Sequence, residues 1–138
     1  MNKVKTLGIV DDDKIYTFLI KKTIEQTNLV DMVKIFDNGL NALNFLKKNA
    51  ANHDSLPEII LLDLSMPIMD GWQFIEEYAN IKTEIKKKVV IVMWSSSVNP
   101  INIERASKIS EISKYIIKPM KLEEVKMVFD DFESLCFL

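Results

Sequence analysis

A single cysteine, Cys136, and a single histidine, His53, lie far apart in the chain. One thiol cannot form an internal disulfide, which suits a reducing cytoplasm better than a secreted, stapled scaffold. One His and one Cys are also too few to assemble a zinc site or a His-based triad from protein groups. A basic excess is missing: 18 Lys and Arg against 20 Asp and Glu leave a formal charge of -2, and direct nucleic-acid binding needs a concentrated basic face. The lysine cluster Lys86-Lys87-Lys88 reads as a solvated turn before a strand. No apolar run reaches the ~18 residues needed to cross a bilayer, and the polar start Met1-Asn2-Lys3-Val4-Lys5 is no signal peptide. Linkers, low-complexity stretches and internal repeats are absent too. The remaining composition, 48% apolar and 28% charged over 138 residues, is that of one globular domain with a core of its own.

Within that domain, strand-like and helix-like segments alternate. Thr6–Val10, Met32–Phe36, Glu58–Leu62, Val89–Trp94 and Tyr115–Ile117 read as short β-rich strands. Three of them lack polar alternation, as parallel strands covered on both faces should. Between them, Ala42, Leu43 and Leu46 share a helical face, as do Phe74, Ile75, Tyr78 and Ala79, and then Leu122, Val125, Phe129 and Phe132. Asp12 or Asp13, Asn38-Gly39, Asp70-Gly71 and Pro100 mark helix starts. The last helix is expected to end near Phe132. Repeated βα units with short connections predict a doubly wound α/β sandwich, a parallel sheet with helices on both faces.

In such a sheet, ligands sit beyond the carboxyl ends of the strands. Those ends carry Asp11-Asp12-Asp13, Asp63, Ser95-Ser96-Ser97 and Lys118-Pro119. Carboxylates gathered there repel by about 4 kcal/mol per pair at 4 Å and an effective dielectric near 20. Lys118 offsets part of this, and a hard dication with all-oxygen ligation, Mg2+, would offset the rest. Acids, a hydroxyl and an ammonium beside a metal also suit phosphoryl transfer, with a carboxylate as nucleophile.

Ile9-Val10-Asp11-Asp12-Asp13, Asp63-Leu64-Ser65-Met66-Pro67-Ile68-Met69-Asp70-Gly71, Ser95-Ser96 and Tyr115-Ile116-Ile117-Lys118-Pro119 resemble, in order and spacing, the receiver domains of two-component response regulators. The resemblance covers essentially the whole chain, 1–138, and leaves no room for a separate output domain. It implies the flavodoxin-like strand order 2-1-3-4-5, and Asp63 as acceptor of a phosphoryl group from a sensor histidine kinase or a histidine phosphotransfer protein. It implies Mg2+ held by Asp12 directly, by Asp11 mainly through water, by Asp63 and by the Ser65 main-chain carbonyl. Lys118, with a cis bond to Pro119, would pair with the phosphoryl group; Ser95 and Tyr115 would be the switch hydroxyl and the switch aromatic. The domain would catalyse only its own phosphorylation and dephosphorylation. Its signal would pass by protein contact or phosphorelay to an unnamed target, the family's usual signalling and dimerisation face being the last two helices and the strand between them.

Departures from the pattern are a serine where threonine is commoner at position 95, Lys114 where glycine is common, and the large Trp94. Trp94 is expected either as plain core or as an indole that sets the space available to Tyr115. A Mg2+-dependent phosphatase or phosphotransferase with an aspartyl-phosphate intermediate is the alternative, but it would want an acid two residues after Asp63, where Ser65 stands. A flavin-binding module is disfavoured because no Ser/Thr/Gly-rich loop follows the first strand.

Overall fold

The computed structural model describes residues 4–136. Five strands, β1 (Val4–Val10), β2 (Val30–Phe36), β3 (Ile59–Asp63), β4 (Val90–Ser95) and β5 (Ile112–Ile117), alternate with five helices, α1 (Lys14–Gln26), α2 (Gly39–Lys48), α3 (Gly71–Ile81), α4 (Pro100–Ser107) and α5 (Leu122–Cys136). The strands form one parallel sheet in the order β2-β1-β3-β4-β5. Among the described residues, no helix is long and apolar enough to cross a membrane.

Strand composition follows position in the sheet. β3 and β4 are buried at every residue and β1 at all but Lys5, whereas β2 and β5 alternate with exposed positions. Central parallel strands are covered on both faces; edge strands are not. This explains why β2 and β5 start earlier than their apolar runs suggest: the polar residues Asp31, Ser113 and Lys114 are tolerated on an edge. The helix expected to end near Phe132 continues to Cys136. Of the apolar end Leu135-Cys136-Phe137-Leu138, the last two residues lie outside the described residues.

Side chains alternate across the sheet and build two cores. On one face, Leu7, Ile9, Ile59, Leu61, Val90, Val92 and Trp94 pack against α1 and α5 through Ile20, Ile24, Val125 and Phe129. On the other, Val10, Ile60, Leu62, Ile91 and Met93 pack against α2, α3 and α4 through Leu43, Leu46, Phe74, Ile75 and Ala106.

Lys87 overturns the reading of Lys86-Lys87-Lys88 as a wholly solvated turn. Its side chain is 5% exposed; its ammonium lies 2.6 Å from Glu58 and donates to the carbonyls of Leu56 and His53. The other Glu58 oxygen accepts from the Thr6 amide at 2.8 Å. This buried pair clasps the amino ends of the strands, and the long lysine reaches it because the β4 entrance passes beside Glu58, a proximity invisible in the local sequence.

Candidate functional site

At the opposite edge of the sheet the strand ends converge. Helix capping separates the three consecutive acids. The Asp13 side chain accepts from the Tyr16 amide at 2.9 Å and caps α1. Asp11 turns inward, 2% exposed, one oxygen accepting from the Asp13 amide at 2.9 Å. Asp12 stays exposed at the rim. Oxygens of Asp11, Asp12 and Asp63 lie within 4.8 Å of one another.

Lys118 joins this cluster from the end of β5. Its Nζ is 2.7 Å from Asp11 Oδ2 and 3.6 Å from Asp63 Oδ1, with the lysine side chain 11% exposed. The Lys118–Pro119 peptide is cis, and the Lys118 amide donates to the Ser95 carbonyl at 2.8 Å, tying the ends of β4 and β5. One ammonium between two carboxylates leaves net negative charge. Accordingly, burial first and the Asp11 charge second push the Asp63 carboxyl up to about 6, against the opposing pull of Lys118 and of the Ser65 and Leu64 amides.

The β3–α3 loop that carries Ser65 is held close by glycine. A Cβ on Gly71 would stand 2.7 Å from the Asp63 carbonyl oxygen and 3.0 Å from Leu64 Cα. The Gly71 amide donates to the Leu64 carbonyl at 2.9 Å, and Asp70 with Gln73 forms a capping box on α3. Ile68, 72% exposed, holds φ at 72°, a left-handed conformation disfavoured for a β-branched residue. Met66 and Met69 on this loop are partly buried and pack against the core beneath it.

On the β4 side Ser95 is buried and Ser96 exposed. The Ser97 amide donates to Ser95 Oγ at 3.0 Å, while the Ser97 carbonyl accepts from the Tyr115 hydroxyl at 2.9 Å. Ser97, given no bridging part by sequence reasoning, therefore links the two residues expected to act together. A cleft of about 520 Å³ opens beside them, lined by Ser65, Asp70, Trp72, Ser95, Ser97 and Asn102 among others.

The expectation that Trp94 sets the space for Tyr115 fails. Trp94 belongs to the core under α1 and α5, and Tyr115 packs on the opposite core. The β4–β5 register pairs Trp94 with Ile116 and Met93 with Tyr115, so the two rings are on opposite faces of the sheet.

A doubly wound parallel sheet that brings acids and a lysine together at its carboxyl edge defines an α/β protein of the kind in which ligands sit beyond the strand ends. The chain belongs to the response regulator receiver domain family, which matches residues 7–130, and it is thus a phosphoacceptor signalling switch of the two-component type. It is 24% identical over 134 residues to the response regulator Rcp1 of Synechocystis sp., covering 96% of this chain and 89% of that one. It is 24% identical over 126 residues to a probable methanogenesis regulatory protein, FilR2, of Methanothrix harundinacea, covering 91% and 79%. A crystal structure of a two-component response regulator from Cytophaga hutchinsonii superposes with a TM-score of 0.87 at 25% identity, covering 96% and 98%. Other curated relatives are longer, and the chain spans 53% of one and 32% of another.

Proposed function

We propose that Asp63 accepts the phosphoryl group, from a phosphohistidine on a sensor kinase or a histidine phosphotransfer protein. The observation that carries this reading is the meeting of Asp11, Asp12 and Asp63 oxygens within 4.8 Å, with Lys118 as the cation between Asp11 and Asp63. An all-oxygen, net-negative rim fits Mg2+: Asp12, Asp11, Asp63 and the Ser65 carbonyl would hold it, and when bound it would neutralise carboxylate and phosphoryl oxygens. An Asp63 oxygen forms the O–P bond as the N–P bond to the partner imidazole breaks, and the imidazole keeps the bonding electron pair. Burial and the Asp11 charge push the Asp63 carboxyl up to about 6, still below neutral pH, so the ionised form that can act as nucleophile is available there. Lys118, already 3.6 Å away, exchanges its contact for a phosphoryl oxygen.

Ser95 reads out the new charge. Its Oγ accepts from the Ser97 amide, which leaves the hydroxyl proton free to be donated to a phosphoryl oxygen. Movement of Ser95 then pulls on the Ser97 peptide and, through the Ser97 carbonyl, on the Tyr115 hydroxyl. A charge change at the rim thereby reaches the β5 edge, where α4, β5 and α5 would meet a target or a second copy.

Acetyl phosphate and Mg2+ followed by intact-mass spectrometry test the reading. One added phosphoryl group is expected, released by hydroxylamine and absent in Asp63→Asn. Repeated turnover of assorted phosphate esters would instead identify a phosphatase.

A further inference from the structure

Lys118 is held from below as well as from above. Its Nζ lies 4.8 Å from the ring centroid of Tyr16 and 4.8 Å from that of Trp94, and the two rings meet edge to face at 5.1 Å and 65°. Trp94 is fully buried, and its Nε1 is, among the described residues, the buried side-chain nitrogen or oxygen without a hydrogen-bond partner. The indole is thus placed by its ring face, not by its N–H. Tyr16 is tied at both ends: its amide donates to the cap residue Asp13, and its hydroxyl accepts from the Met120 amide at 3.2 Å, two residues beyond Lys118.

We propose that Trp94 and Tyr16 form an aromatic clamp that positions the Lys118 ammonium for the phosphoryl group, a role neither ring has as mere core. The chemistry is general: a cation over an aromatic face is attracted by the ring quadrupole, more so when desolvated. A lysine on a flexible stem has many rotamers. Two ring faces equidistant from Nζ restrict it to a position from which Asp11 and Asp63 are both within reach. The ammonium can therefore leave Asp11 for a phosphoryl oxygen without leaving its seat. The inference rests on the reading of Lys118 as the phosphoryl-pairing cation, and the first readout below is independent of that reading.

In metal-free protein, with no phosphodonor present, NMR should find the Lys118 Hε resonances upfield of those of the other lysines, displaced by the ring currents. That displacement should shrink in Tyr16→Leu. Lys118 resonances at ordinary lysine positions would overturn the clamp. The second readout is the rate of phosphorylation by acetyl phosphate in a Trp72→Phe background, with Trp94 replaced by mono-, di- and trifluorotryptophan. Fluorine drains the ring face while nearly preserving its size, so the fold is spared where Trp94→Leu would open a cavity. The rate should fall stepwise, by about three- to tenfold at the most fluorinated ring. Tyr16→Phe should keep most of the rate and Tyr16→Leu should lose it. A flat fluorine series, or equal losses in both Tyr16 variants, would refute positioning by the rings. An upfield Lys118 with no phosphoryl uptake in any form would uphold the clamp and overturn the reading of Asp63 as acceptor.

Discussion

Replacing Asp63 by asparagine should stabilise the metal-free protein while abolishing its phosphorylation. The Asp63 carboxyl is desolvated at the end of a fully buried strand and faces Asp11, with only Lys118 and two loop amides in its favour. Its pKa rises from 3.8 to about 6, so the folded state holds the ionised form less readily than the unfolded chain does. At about 1.4 kcal/mol per pH unit this amounts to roughly 3 kcal/mol above pH 6, and screening by water at the rim reduces it to about 1–2 kcal/mol. Because the folded pKa is the higher one, the penalty is absent below about pH 4. It grows between the two values and is constant above pH 6. Asparagine keeps the shape and an acceptor oxygen but carries no charge. Urea unfolding in EDTA at pH 7.5 should therefore place the variant's midpoint roughly 0.5–1 M above wild type at unchanged slope. The gap should close at pH 4. Added Mg2+ should narrow it at pH 7.5 by stabilising the wild type more, since ligand that binds the folded state adds to stability. A variant no more stable than wild type at pH 7.5, or a gap of the same size at pH 4, would refute the claim that Asp63 is held ionised against its surroundings.

Ile68→Asn should relieve the left-handed backbone at φ 72° and raise stability by about 1 kcal/mol, read as a higher thermal midpoint; no rise would mean that the loop is unstrained. Gly71→Ala puts a methyl against backbone atoms 2.7 and 3.0 Å away. It should cost about 1–3 kcal/mol in urea unfolding and slow acetyl phosphate uptake by displacing the Ser65 loop; wild-type behaviour in both would contradict the close approach. Lys87→Met strands Glu58 without its cation and should lower stability by about 3–5 kcal/mol. The rate of phosphorylation of the folded fraction should not change, because the clasp lies at the far edge of the sheet.

What could be read without coordinates was local or repetitive. Apolar runs marked β1, β3 and β4, and cap residues such as Asn38 and Asp70 marked the starts of α2 and α3, because capping and periodicity are properties of neighbouring residues. Resemblance of the Asp63-to-Gly71 segment to a family supplied the strand order, which periodicity does not encode. The edge strands β2 and β5 extend beyond their apolar runs because polar residues interrupt those runs. Which of the three leading acids caps α1 and which turns inward was left open by composition; backbone geometry assigns Asp13 to the helix and Asp11 to the lysine.

The sequence by itself determined the layered architecture and the residues that gather at the rim, since strand ends in such a sheet fall on one edge. Only the tertiary structure decided on which face each ring stands and which lysine is buried. Trp94 lies beneath Lys118 rather than beside Tyr115 because the register between β4 and β5 sets side-chain parity, and Lys87 is internal because a distant strand brings Glu58 to it. Both outcomes depend on contacts between residues far apart in the chain, for which no local pattern exists.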